Sequence, residues 1–334
     1  MNTAPGAMDS HDLNAGTAQR YLAFAHEAGG RCPAYEALAR SVAQDSTILG
    51  FLGSLPPAKR QPNLLFAAAR YLLGEPAETA HLRTLVSRRT AALSHVMLTR
   101  RTQTNEPARC ATLLPALAQL PEPLALIEVG ASAGLTLLFD RYSYNYAHDH
   151  DYDHRGHPLA GRDPAAPTLH CTARGPVPLP SRLPAITWRA GLDLNPLDVT
   201  SDDDVRWLCC LVWPGEGDRD QRLAAAIATA RRDPPAVHRG DLLTDLPALA
   251  AQAPADATLV IFHSAVLAYV TAADRQRFAD VVRGLPAVWL SNEAPNALPW
   301  VPVPRHDGLP FALVRDGRTP LAFTDGHGMW VDWL

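Results

Sequence analysis

Residues 124–134 read Leu-Ala-Leu-Ile-Glu-Val-Gly-Ala-Ser-Ala-Gly, and no other segment limits the folds open to this chain so tightly. The run has no polar alternation, follows the Pro-rich QLPEPL and leaves through two glycines among small residues. That pattern suits a short strand buried on both faces, because a strand with one wet face would alternate. Strands of that kind lie in parallel sheets, where a crossover follows each strand. The later chain has the matching rhythm. Strand-like runs at Ala185–Arg189, Ala236–Arg239, Thr258–His263 and Ala287–Ser291 alternate with helical stretches at Asp203–Arg232, Leu246–Ala251 and AADRQRFADVVRGL. A helix is also expected from about Ser132. The expectation is an α/β fold with a mostly parallel sheet.

Two further regions frame that core. From Thr17 to about Leu120 the apolar spacing is helical, in segments ended by Gly or Pro, and strand-like alternation does not compete there. At the far end Phe311–Arg315 and Pro320–Thr324, joined through Asp316-Gly317-Arg318, read as an antiparallel hairpin. Between Asp140 and Leu183 lies an insertion whose Tyr142-Ser143-Tyr144-Asn145-Tyr146 alternates with period two, predicting a small strand ribbon with a loop. The division expected is a flexible stretch 1–16, a helical region 17–120, and a sheet domain 121–334 carrying the insertion 140–183.

Composition excludes several classes. With 47% hydrophobic and 19% charged residues over 334 positions, the chain can bury a sizeable core. A net charge of -4 removes the basic field with which a protein grips nucleic acid through its phosphates. No apolar run reaches the roughly 18 residues of a membrane span, and the first residues lack the basic start and apolar stretch of a secretory leader. Cys32, Cys110, Cys171, Cys209 and Cys210 form no CxxC pair and no even framework, so reduced thiols in the cytoplasm are expected. Adjacent Cys209 and Cys210 sit in an apolar helical stretch that suits burial.

In an open parallel sheet, ligands sit outside the carboxyl ends of the strands, where glycines let the backbone approach. Glu128, Gly130, Ser132 and Gly134 lie at the first such turn, and Glu128 can accept from a ligand ammonium or hydroxyl. After the next two strands come Asp193, in GLDLNP, and Asp241, in GDLL. An acid at the first of these places can hold a ribose diol, and one at the second can accept from an adenine amino group. The alternatives are structural: a turn that only packs a helix on a strand, an Asx-turn at Asp193, and a helix cap at Asp241.

These segments resemble those of class I S-adenosylmethionine-dependent methyltransferases, with EVGASAG, GLDLNP and GDLLTDLP in the family's order and VIFHSAVLAYVTAADRQRFADVV resembling its fourth strand and following helix. The resemblance covers roughly residues 124–334 outside the insertion. It implies a Rossmann-like methyltransferase sheet, with S-adenosylmethionine held by Glu128, Gly130, Ser132, Gly134, Asp193 and Asp241. Ser132 departs from the pattern, standing where the family has a middle glycine. A closer likeness, over nearly the whole chain, is to a bacterial family of unknown function marked by QTNE, GASAGL followed by DRY, and GLDLNPLDV.

A sulfonium already activates its methyl group, so such a protein chiefly aligns an acceptor and excludes water. Where the acceptor needs a base, His263 at the end of the fourth strand is the candidate, against a structural histidine bonded to backbone. Asn105, Glu106 and Arg109 in the QTNEPAR segment, with Asn292 and Glu293 after the fifth strand, can bind the acceptor. The alternative is a capped surface loop with Arg109 paired to Glu106. The fourth strand reads Phe262-His263-Ser264-Ala265, without the Asn/Asp-Pro-Pro-aromatic signature of enzymes that methylate DNA amines, so the acceptor expected is a small molecule or a protein. The run His148, Asp149, His150, Asp151, Asp153, His154, His157 is read as a solvated polar loop and not as a metal site. Two rival readings are a non-catalytic nucleoside sensor on the same scaffold and an NAD-dependent oxidoreductase, though EVGASAG is not GxGxxG.

Overall fold

The computed structural model describes residues 10–148, 156–308 and 310–334. Its helices in chain order are α1 (Ser10–Ala28), α2 (Pro33–Gln44), α3 (Ser46–Gly53), α4 (Pro62–Leu73), α5 (Thr79–Arg88), α6 (Thr90–Thr99), α7 (Arg109–Leu117), α8 (Asp202–Cys210), α9 (Gly217–Arg232), α10 (Leu246–Ala250) and α11 (Ala272–Arg283). The strands are β1 (Leu124–Val129), β2 (Ser143–His148), β3 (His157–Leu159), β4 (Thr168–Arg174), β5 (Ile186–Asp193), β6 (Val237–Arg239), β7 (Thr258–Ser264), β8 (Val288–Glu293), β9 (Phe311–Arg315), β10 (Thr319–Thr324) and β11 (Trp330–Trp333). Two compact units form, one from Met1–Thr104 with Asp203–Asp220 and the other from Asn105–Asp202 with Gln221–Leu334. The sequence-based boundary at residue 120 thus falls inside the second unit, and α1 starts within the stretch 1–16 that was expected to be flexible.

The helical unit packs apolar stripes. Tyr35, Leu38, Ala39 and Val42 recur three to four residues apart on α2 and are all buried. Asp45 caps α3 by accepting from the backbone N–H groups of Thr47 and Ile48 at 2.9 and 3.1 Å. Aromatic rings fill the centre, with Tyr35 and Phe66 centroids 4.9 Å apart and Phe24 and Trp213 5.2 Å apart. All five cysteines of the chain are free; Cys210 is buried and Cys209 half-buried. Among the described residues no helix is long and apolar enough to cross a membrane.

The second unit is built on one eleven-stranded sheet in the order β3-β2-β4-β11-β10-β9-β8-β7-β1-β5-β6. From β8 to β6 every pair is parallel. The chain steps outward from β1 to β5 and β6, then returns to the other side of β1 for β7 and β8. This is a doubly wound arrangement whose switch point lies between β1 and β7, where such sheets place ligands. Beyond β8 the expected hairpin of β9 and β10 is antiparallel, and β11 extends it. The insertion is no isolated ribbon: β4 pairs with β11, and β2 and β3 continue the same sheet.

Alternation along the strands sorts side chains between two faces. Ala125, Ile127, Val129, Leu192, Ile261 and Trp289 form one core with Leu246 and Leu249 of α10 and Phe278, Ala279 and Val282 of α11. Glu128 and Phe262, paired in register, face the other way, and Phe262 packs edge-on against Phe139 with centroids 5.6 Å apart. The period-two tyrosines belong to this second side. Tyr142, Tyr144 and Tyr146 are buried, and their hydroxyls donate to the carbonyls of Leu135, Phe139 and Ala111 at 2.8, 2.8 and 2.7 Å.

The helix expected after β1 does not form. Between Val129 and Ser143 there is only a single 3-10 turn, Leu135–Leu137. Residues 131–140 are all buried, leaving no wet face for an amphipathic helix, and Ser132 at φ +52 and Gly134 at φ +71 interrupt right-handed helical geometry. Side chains of neighbouring segments press closely on the turn at its glycines. A Cβ added at Gly130, where φ is +72, would overlap Val266; one at Gly134 would lie 2.7 Å from Pro235 Cγ; one at Gly191 would lie 2.7 Å from the Cβ of Ala131. These glycines admit neighbouring side chains. Gly130→Ala is therefore expected to lower stability by about 2–4 kcal/mol, from left-handed backbone strain plus overpacking, with the loss shrinking to about 1–2 kcal/mol when Val266→Ala is also present. Denaturant midpoints of the two single variants and the double variant check this.

Candidate functional site

The carboxyl ends of β1, β5, β6, β7 and β8 gather the residues that the sequence singled out, with different roles for several of them. The turn after β1 is tied down from β5. The N–H groups of Gly130 and Ala131 donate to the carbonyl of Leu192, and that of Ser132 donates to Asp193 Oδ2 at 2.8 Å. Asp193 Oδ1 accepts from Asn195 N at 2.7 Å, the Asx-turn geometry considered for it. Asp241 is half-buried and also forms an Asx-turn, its Oδ1 accepting from Leu243 N at 2.7 Å. Each carboxylate oxygen has two lone pairs, so both acids retain accepting capacity at the edge.

Glu128 is different. It is only 5% exposed, its Oε1 accepts from the Thr136 hydroxyl, and its Oε2 is closed to solvent with no hydrogen-bond partner among the described residues. Burial pushes its carboxyl up to about 8, with the negative Asp193 adding to the rise; the Thr136 bond and the Arg109 charge pull the other way. An unpartnered buried carboxyl oxygen beside the switch point is a polar group that a donor or cation would satisfy.

Residues 105–109 of the QTNEPAR segment bring the Arg109 charge near this carboxyl. Asn105 Oδ1 accepts from Leu135 N at 2.8 Å and so holds the 3-10 turn. Glu106 Oε1 accepts from Ala108 N at 3.1 Å and from Arg222 Nε at 2.8 Å. Arg109 is buried, donating to the carbonyls of Gly326 at 2.9 Å and Ser264 at 3.1 Å. The surface-loop alternative is thereby corrected, since all three side chains are buried fasteners. Thr136, Arg222 and Val266 escaped the sequence reading: a threonine inside an apolar run, an arginine in a charged helix and a valine in a loop carry no signal of their own.

His263 also needs correction. Its ring is fully buried and both nitrogens are engaged: Nδ1 lies 2.7 Å from Glu293 Oε1, and the Trp289 indole N–H donates to Nε2 at 3.0 Å. An indole nitrogen only donates, so Nε2 accepts and Nδ1 carries the proton that goes to Glu293. The ring also packs against Phe278 of α11, on the face of the sheet opposite Glu128. It therefore has no nitrogen for a substrate; it positions Glu293. That carboxylate in turn accepts from Val266 N and Leu267 N at 2.8 and 3.2 Å, fixing the loop after β7 in which Ala265 has φ +61. Asn292 points to the other face, donating to Ser264 Oγ at 3.1 Å and accepting from the Thr324 hydroxyl at 2.7 Å. The pleat sends adjacent side chains to opposite faces, which separates Asn292 from Glu293.

No group of three or more His, Cys, Asp or Glu residues placed to hold a metal occurs among the described residues. In the His/Asp run, His157 Nε2 lies 2.8 Å from the Pro180 carbonyl, and residues 149–155 lie outside the described residues. Glu128 Oε2 has no hydrogen-bond partner among the described residues, and a carboxyl there can meet a donor or a cation of a ligand. Val266 covers Gly130, so such a ligand would lie beyond its methyl groups and not against the glycine.

The fold and this edge define a doubly wound α/β protein with an acid-rich switch point. A family described as an uncharacterized protein conserved in bacteria (DUF2332) matches residues 18–333, and the chain belongs to it. No curated protein and no solved structure matches the chain.

Two outcomes test this geometry. The folded chain keeps the Glu128 proton up to about pH 8, whereas the unfolded chain loses it near its ordinary value of 4.5. This contribution is thus present in full below the unfolded value and is lost as pH rises toward the folded one, at up to about 1.4 kcal/mol per pH unit. Glu128→Gln should flatten that part of the stability profile in denaturant titrations run from mildly acidic to mildly alkaline pH. His263→Phe removes two buried hydrogen bonds and should cost about 2–5 kcal/mol in the same assay.

Proposed function

We propose that this protein binds S-adenosylmethionine at the carboxyl edge of β1, β5 and β6 and transfers its methyl group to a small-molecule or protein acceptor. The observation that carries the reading is the placement of three acids, Glu128, Asp193 and Asp241, at the ends of three adjacent parallel strands beside the switch point, one of them with an unpartnered oxygen. Asp193 is suited to ribose hydroxyls and Asp241 to an adenine amino group. The bound molecule supplies a methyl group already activated on a sulfonium.

The chain's own contribution is alignment and exclusion of water. The turn 130–134 is fixed in advance by Asp193 and Leu192, and the loop at Val266 by Glu293, so neither needs to be ordered on binding. Glu293 holds the Val266 loop, Asn105 the 3-10 turn at Leu135, Arg109 and Asn292 the end of β7 at Ser264, and Glu106 the Arg222 side chain. The five free cysteines support a reducing compartment such as the cytoplasm. A second reading, a non-catalytic nucleoside sensor, is favoured by the full engagement of both His263 nitrogens, which removes His263 as a base.

Isothermal titration with S-adenosylmethionine, S-adenosylhomocysteine and NAD tests the proposal. Both sulfur nucleotides should bind and NAD should not, and Asp241→Ala should weaken them roughly tenfold or more through the lost charged hydrogen bond. Silence of both sulfur nucleotides at high micromolar concentration would sink the reading. Binding without methyl transfer to any component of a broad metabolite extract would favour the sensor.

A further inference from the structure

Glu128 does more than line the edge. Its side chain points to the α7 face of the sheet, where β7 presents the apolar Phe262 and three other elements present charged or polar groups. The turn presents Thr136, which occupies Oε1; α7 presents Arg109; β5 presents Asp193. Glu106 precedes α7, and the Cys110 thiol and Tyr142 phenol are close enough to sense the charges of both Glu128 and Glu106. Burial pushes that thiol and that phenol upward, so both are neutral at ordinary pH. The Arg109 guanidinium donates to the carbonyls of Gly326 and Ser264. Oε2 is left without a partner in a place closed to water, an arrangement that is costly for an ionised carboxyl and that a cation would relieve.

We propose that Glu128 recognises the positive charge of the ligand by giving up its own proton, so that an ammonium or sulfonium group takes the place of a hydrogen at this carboxyl and binding releases one proton to solvent. The O–H bond of Glu128 breaks, its electron pair stays on the carboxylate, the proton passes to buffer, and no covalent bond to the ligand forms. The inference rests on the proposed binding of a cationic nucleoside and adds its recognition chemistry: a neutral isostere is discriminated against because it would leave Oε2 as it stands in the free protein.

The sign of the effect follows from the direction of the shift. In the free chain the carboxyl holds its proton through neutral pH, and a cation favours the ionised form. Affinity must then rise with pH, by about tenfold per unit below the free-protein value, and level off above it.

Calorimetric titration of the full chain with S-adenosylmethionine reads this in two ways. Run at neutral pH in phosphate and in Tris, whose ionisation enthalpies differ widely, the observed enthalpies should differ by the amount expected for close to one proton released. Across roughly pH 6 to 7, Kd should fall about tenfold. Glu128→Gln, checked for folding by its thermal transition, should bind more weakly with no proton release and a flat pH profile. Tight binding by the wild-type protein with equal enthalpies in both buffers and a flat profile would overturn the inference and leave the methyltransferase reading standing. Proton release persisting in Glu128→Gln would also overturn it. No binding at all would overturn the reading beneath it, and the inference with it.

Discussion

The bond from Ser132 N–H to Asp193 Oδ2 is the constraint on which the carboxyl edge depends. It joins the turn after β1 to the end of β5, across a register in which Glu128 stands opposite Gly191. With Gly130 and Ala131 donating to Leu192, three successive turn residues hang from one neighbouring strand. That attachment permits positive φ at Ser132, where a side chain is strained, and leaves no room for a helix to start. The turn then runs into a buried segment and not onto the sheet's surface. The long connection back to β5 carries strands that enlarge the sheet instead of a crossover helix.

Burial of charge follows from the same constraint. Because residues 131–140 fold inward, Glu128 at the end of β1 is roofed by the chain's own turn and by α7. A carboxyl in that position is either neutral or matched by a cation. The neighbouring acids at Asp193 and Asp241 have backbone N–H partners and stay at the edge. One sheet end therefore presents two kinds of acid, half-buried acceptors at the edge and a buried carboxyl inside. This division suits a ligand with hydroxyl or amino donors at one end and a positive charge at the other.

Much of this was legible in the sequence, for reasons that can be traced to particular residues. Buried strands announce themselves by uninterrupted apolar runs, so β1, β7 and β8 and the hairpin β9–β10 were readable, as was the order of acids along the chain. The tyrosine alternation marked a strand but not its neighbours, because pairing β4 with β11 joins segments more than 150 residues apart in the chain. The helix after β1 was expected because small residues and an apolar tail look alike whether they form an amphipathic face or a fully buried turn. Strand position makes His263 a candidate base or a structural histidine and cannot choose between them, because Trp289 and Glu293 reach it only through the register of β7 with β8. Asn292 and Glu293 look like one polar pair in sequence, yet the pleat sends them to opposite faces.

The claim that binds these observations is that the unpartnered oxygen of Glu128 is one end of a ligand site. A crystal structure of the protein with S-adenosylhomocysteine tests it most directly. The ligand's amino group should lie within about 3 Å of Glu128 Oε2, with the ribose toward Asp193. A ligand bound elsewhere, or bound at this edge without touching Glu128, would contradict it.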